Sequence, residues 1–111
     1  MYQFNFHKAD NLSTAVELFN AFDEPMYIAG GHTLIPTMKQ RLSAPSDVID
    51  LAKIPDLDAI TLAGDTLQIG AMATHAKVAA SSLVQGHCPA LATLAEGIGD
   101  RQVRHRGTIG G

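Results

Sequence analysis

Two glycine-bearing stretches contain the residues best suited to chemistry in this chain. The first is Ala29-Gly30-Gly31-His32-Thr33, set between the apolar run Met26-Tyr27-Ile28-Ala29 and a helical pattern of Leu34, Ile35, Met38 and Leu42. Glycine reaches positive φ and lets the backbone come close to a ligand with no Cβ in between. The start of the following helix offers N–H groups without helical partners and a partial positive charge, which suit phosphate. Thr33 adds a hydroxyl. The loop is not a Walker A motif, because no Lys-Ser/Thr pair follows the glycines. It is not G-x-G-x-x-G either, since Ile35 stands where the last glycine would fall counting from Gly30. A tight strand-to-helix turn that merely needs glycine is the plain alternative.

The second stretch is Arg104-His105-Arg106-Gly107-Thr108-Ile109-Gly110-Gly111. Glycine-flanked amides in succession can form an anion-binding nest. Arg101, Arg104 and Arg106 are three of the eight lysines and arginines, so positive charge gathers here in an acidic chain. A solvated basic loop is the plain alternative for the arginines. Taken together, the two stretches would suit a pyrophosphate held from both sides.

Other chemistry finds little support. His7, His75 and His87 are widely spaced and form no H-x-x-x-H or H-E-x-x-H pattern, so no metal site is expected. Cys88 is the lone cysteine, which excludes an internal disulfide or a multi-cysteine cluster; before Pro89 it reads as a small, partly buried residue. No Ser/His/Asp set stands out, and no catalytic residue is assigned. Met26, Met38 and Met72 read as core filler.

The elements that must position the two stretches follow from periodicity. Tyr2, Phe4 and Phe6 alternate with Gln3 and Asn5, as in a half-buried strand. Asp10-Asn11 is an N-cap pair for a helix whose stripe is Leu12, Ala15, Val16, Leu18, Phe19 and Phe22, with Thr14 and Glu17 at capping-box spacing. Pro25 stops it. Pro36 suits the first turn of the second helix, spanning 34–42, and Pro45 closes that segment. Asp47-Val48-Ile49-Asp50 is a further short strand. The order β-α-β-α-β predicts a small parallel sheet with crossover helices. Beyond it, Ala59–Leu62 and Thr66–Ile69 flank Gly64-Asp65 as a hairpin. Thr74 caps a short helix reaching Ala80, and Cys88-Pro89 opens another with Leu91, Leu94, Ala95 and Ile98.

Composition sets the outer bounds. The 111 residues suffice for one domain; 46% are hydrophobic and 17% charged, a globular balance. Net charge is −3, which argues against a nucleic-acid binder. No apolar run reaches membrane-spanning length, and the first residues lack a signal peptide's basic start. A soluble cytoplasmic module is the expectation. Ending on Gly110-Gly111 after Thr-Ile, a turn that should lead onward, the chain reads as a fragment.

Ala29-Gly30-Gly31-His32-Thr33-Leu34-Ile35-Pro36-x-Met38-Lys39-x-Arg41-Leu42 resembles the first flavin motif of the medium subunit of molybdenum hydroxylases, the xanthine dehydrogenase and aerobic carbon monoxide dehydrogenase family. Asp100-x-Gln102-Val103-Arg104-x-Arg106-Gly107-Thr108-Ile109-Gly110-Gly111 resembles its second. Ile69-Gly70-Ala71 and Thr74-His75-Ala76 also look familial, and His32 and His105 lean toward the carbon monoxide dehydrogenase type. The resemblance implies an α/β, vanillyl-alcohol-oxidase-like (PCMH-type) FAD-binding domain over residues 1–111, truncated. Residues 1–55 would be a βαβαβ subdomain, and 56–111 the start of a second, mostly antiparallel one. It implies FAD contacts at Ala29, Gly30, Gly31, His32, Thr33 and Leu34, and at Thr108, Ile109, Gly110 and Gly111. It implies electron transfer from a molybdenum-cofactor large subunit, through a [2Fe-2S] small subunit, to FAD and an external acceptor. The family's second motif continues past the Gly-Gly pair, so the chain alone is expected to be inactive. Substrate would be decided in the large subunit. A non-catalytic assembly module of the same fold, without flavin, and a nucleotide-phosphate-binding α/β domain are the alternatives.

Overall fold

The computed structural model describes residues 1–111, which form two units, residues 1–55 with Gly111 and residues 56–110. In the first unit, strands β1 (Asn5–Lys8), β2 (Pro25–Ile28) and β3 (Asp47–Asp50) make a parallel sheet in the order β1-β3-β2. Helix α1 (Leu12–Ala21) joins β1 to β2, and α2 (Leu34–Lys39) joins β2 to β3. The last strand in sequence is therefore the central one. That explains why Val48 and Ile49 are the most completely buried large side chains of this unit. Each stabilises by about 1.5–3 kcal/mol through burial.

Register sorts the sheet residues into rows. His7, Ile49 and Tyr27 lie side by side on one face, and Phe6, Val48 and Met26 on the other. Helix α1 covers the first row: Phe19 stacks on Tyr27, Phe22 stacks on His7, and the Tyr27 hydroxyl donates to the Ala15 carbonyl at 3.3 Å. The expected alternation of the first strand is thus corrected. Regular pairing begins only at Asn5, and Phe6 faces away from α1, 52% exposed, while His7 points inward. His7 Nε2 sits 2.7 Å from the Asp47 carboxylate, itself only 3% exposed. That hydrogen bond holds the Asp47 pKa below the usual carboxylate value, against the opposing effect of burial.

The N-cap of α1 is Asn11, whose side chain accepts from the Thr14 N–H at 2.8 Å. Its stripe is narrower than the sequence pattern. Ala15 is buried and Leu18 and Phe22 half-buried, spaced three and four apart, whereas Leu12 and Val16 flank that line and stay exposed. Helix α2 is shorter than expected and stops at Lys39. Arg41 takes φ 59°, a left-handed conformation that breaks the helix, and lays its guanidinium 5.1 Å from the centre of the Tyr2 ring. Leu42 falls outside the helix and is exposed.

The second unit opens with the antiparallel hairpin β4 (Ile60–Ala63) and β5 (Thr66–Ile69), turning through Gly64-Asp65 as expected. Four short helices follow: α3 (His75–Ala80), α4 (Ser82–His87), α5 (Pro89–Glu96) and α6 (Arg101–Arg106). Their core is made of small side chains, Ala73, Val78, Val84, Ala92 and Ala95, with Ile60, Leu67 and Ile69 packed against it. Thr74, Ser81 and Asp100 each cap the helix they precede through a side-chain oxygen. Cys88 is exposed rather than partly buried, because it lies in the break between α4 and α5. No helix of the structure is long and apolar enough to cross a membrane.

Candidate functional site

In the first unit, β2 delivers the chain into Ala29-Gly30-Gly31-His32-Thr33, and α2 carries it away. Gly31 is buried with φ +78°, so the turn requires the residue type found there. A Cβ at Gly31 would stand 2.9 Å from Ile35 Cδ1 and 3.2 Å from Ile28 Cδ1. The loop is thus closed on its inner side by its own apolar neighbours. Its polar groups are committed in an order the sequence does not disclose. Gly30 and Gly31 N–H both point at the carbonyl of Gly111, at 2.6 and 3.4 Å, and Gly31 in turn accepts from Ile35 N–H at 3.0 Å. The next two amides, His32 and Thr33, have no protein acceptor, and both side chains are exposed. The Thr33 hydroxyl makes no capping bond, although its carbonyl accepts from both the N–H and the hydroxyl of Thr37.

The N-terminal charge expected for the following helix is small here, because α2 has only six residues. The open donors of this turn are loop amides.

The second stretch belongs to the second unit up to Gly110. It is no loop in its first half: α6 takes up Arg101–Arg106, with Asp100 Oδ1 accepting from the Val103 N–H at 2.8 Å. Arg104, His105 and Arg106 occupy the last turn, where cations complement the helix dipole. Beyond Gly107, residues 108–110 run alongside 71–75. Thr108 pairs with Thr74 in an antiparallel bridge, Ile109 N–H donates to Ala73 O at 2.9 Å, and Gly110 N–H donates to Ala71 O at 2.9 Å. A Cβ at Gly110 would be 2.6 Å from that same Ala71 oxygen. The nest expected from the glycine spacing is therefore corrected at Ile109 and Gly110. Those amides complete a short ladder, and Thr108 is buried in it.

Of the ten expected flavin contacts, Ala29, Gly30, Gly31, His32, Thr33 and Leu34 fall together with Gly111 in the first unit. Thr108, Ile109 and Gly110 fall in the second. The His7–Asp47 pair and the anchoring of Arg104 on the Gly99 and Ile98 carbonyls were not foreseen. Each depends on partners in other elements or loops, which spacing along one segment does not encode. No group of His, Cys, Asp or Glu is placed to hold a metal ion.

A chain with these two glycine turns in this mixed α/β frame belongs to the family of FAD-binding domains in molybdopterin dehydrogenases, whose family model matches residues 2–111. The frame is the vanillyl-alcohol-oxidase-like (PCMH-type) one, and FAD is the family's cofactor. Among curated relatives, it is 41% identical over 110 residues to the carbon monoxide dehydrogenase medium chain of Hydrogenophaga pseudoflava, covering 98% of this chain and 38% of that one. It is 39% identical over 101 residues to the nicotine 6-hydroxylase medium subunit of Paenarthrobacter nicotinovorans, covering 91% of this chain and 36% of that one. Among solved structures, carbon monoxide dehydrogenase from Hydrogenophaga pseudoflava superposes with a TM-score of 0.90 at 40% identity, over 99% of this chain and 39% of that one. The chain thus spans about two-fifths of the length of these relatives.

Proposed function

We propose that this chain is the FAD-holding part of an electron-transfer subunit, with Ala29–Leu34 and Thr108–Gly111 as the cofactor contacts. The observation that carries the proposal is the pair of uncommitted amides at His32 and Thr33, presented next to a glycine that must have φ near +78°. Phosphate oxygens accept well from such donors. The Thr33 hydroxyl adds a further donor, and neither 29–34 nor 107–111 contains an Asp or Glu side chain. A diphosphate would meet no acidic side chain within these loops. In this reading the side chains hold and orient, and none serves as nucleophile or proton carrier.

FAD, when bound, supplies the ability to exchange electrons singly with iron–sulfur clusters and in pairs with an external acceptor. With one cysteine, these 111 residues cannot themselves ligate such a cluster. We therefore assign it a [2Fe-2S] small subunit and a molybdenum-cofactor large subunit as partners, in a cytoplasmic complex. The relatives' names, medium chain and medium subunit, agree with a multi-subunit setting. The test is affinity purification of the protein from its own cells. FAD released on denaturation, with iron and molybdenum co-purifying on two further polypeptides, is the expected result. A flavin-free protein recovered without metals would favour the alternative of an assembly module that keeps the fold.

A further inference from the structure

The second unit contains a polar cleft of about 430 Å3 that shares no residue with Ala29–Leu34 or Thr108–Gly111. That volume lies in the range of small-molecule pockets. The three alanines of α3 leave room in it, and Gln85 of α4, Glu96 of α5 and Arg101, Arg104 and His105 of α6 line it. Internal bonds fix what these groups present. Arg104 Nη1 donates to the carbonyls of Gly99 and Ile98, at 2.9 and 3.4 Å, which holds the guanidinium in place with further N–H groups to offer. Arg101 has no hydrogen bond or ion pair from its side chain within the protein. His105 Nδ1 lies 2.7 Å from the Arg101 carbonyl, and a carbonyl only accepts, so Nδ1 bears the proton and Nε2 of the neutral ring is an acceptor. The Gln85 amide nitrogen donates to Ala79 O at 2.9 Å, leaving its own oxygen as an acceptor.

The cleft therefore offers two guanidiniums for an oxyanion, together with three acceptors: the Glu96 carboxylate, His105 Nε2 and the Gln85 oxygen. Arginine forks match phosphate oxygens in pairs. The acceptors, including one carboxylate, would repel a bare anion and reward a ligand that also brings hydroxyl groups. We propose that this cleft binds a small phosphorylated polyol or sugar, its phosphate on Arg101 and Arg104 and its hydroxyls on Glu96, His105 and Gln85.

The probe is glycerol 3-phosphate, titrated into the 15N-labelled chain with inorganic phosphate and sodium chloride as matched controls. Saturable shifts of amides in α3 and α6 are expected, with glycerol 3-phosphate binding more tightly than inorganic phosphate. Arg101→Gln, which removes no internal contact, should weaken binding by about tenfold or more while leaving the remaining spectrum folded. Glu96→Gln should erase the preference over inorganic phosphate. Four results would overturn the proposal: shifts that never saturate up to about 10 mM, an equal response to chloride, affinity unchanged in Arg101→Gln, or shifts confined to Ala29–Leu34 and Thr108–Gly111.

Discussion

Replacing Gly70 by alanine puts a methyl group where backbone already stands. A Cβ there would be 1.9 Å from the Leu57 carbonyl oxygen and 2.4 Å from its carbon. Ordinary carbon–oxygen contacts lie near 3.3 Å, so the two segments must separate by about 1.4 Å. Two backbone bonds clamp this approach, Gly70 N–H to Ala59 O at 2.8 Å and Met72 N–H to Leu57 O at 3.0 Å. Overpacking costs about 1–3 kcal/mol, and loss of the two bonds adds about 0.5–1.5 kcal/mol each. The sum, about 2–6 kcal/mol, is a large share of the 5–15 kcal/mol typical of a whole domain. Gly64→Ala is the matched control: φ is +60° there, with nothing within 4 Å of a Cβ, so only the left-handed conformation is penalised, by about 1–2 kcal/mol. Thermal unfolding followed by circular dichroism separates the two. Gly70→Ala should lower Tm by at least about 8 °C and Gly64→Ala by clearly less. A loss in Gly70→Ala no larger than in Gly64→Ala would mean that the chain yields around Leu57 at little cost, since Gly70, unlike Gly64, has no positive φ to penalise.

Four further outcomes follow from the same structure. Ile49→Ala, at the centre of the β1-β3-β2 sheet and fully buried, should destabilise by about 2–5 kcal/mol in urea unfolding. Asn11→Ala should remove the α1 cap at a cost of about 1 kcal/mol, read from the same titration. Asp47 has a folded pKa held below its unfolded value by His7. Its stabilising contribution is therefore present above about pH 4 and is lost as pH falls through the folded pKa. Asp47→Asn should flatten the stability profile in that acid window, whereas an unchanged slope would refute the assignment. Gly31→Val should destabilise the first turn through φ and through Ile35, so a full-strength Tm for that variant would contradict the geometry given for the loop.

Much of the frame was legible because local chemistry decided it. Pro25 and Pro45 bound the first two crossovers, Asn11 caps α1, and Gly64-Asp65 closes the hairpin. The failures share a cause in tertiary contact. Phe6 reads as buried by alternation, yet the face that α1 covers is set by His7 meeting Asp47 and Phe22. Helix α6 was hidden because its composition is basic and its length is six residues, leaving Asp100 as the available signal. At the candidate site, Gly31 announced itself by type and position. Which amides remain open did not, because it depends on Gly111, Ala71 and Ala73 accepting from Gly30, Gly31, Gly110 and Ile109.

In the function proposed above, main-chain N–H groups of the first turn, at His32 in particular, hold the flavin diphosphate. Proline at position 32 deletes that N–H, which no protein group accepts, whereas alanine there keeps it. The decisive measurement is FAD content per protein, by fluorescence of released flavin, in His32→Pro and His32→Ala variants that match the wild type by circular dichroism. Flavin content should stay close to wild type in His32→Ala, and affinity should fall by about tenfold or more in His32→Pro, as expected for a donor to a charged acceptor. Full FAD occupancy in His32→Pro, or a greater loss in His32→Ala, would contradict it.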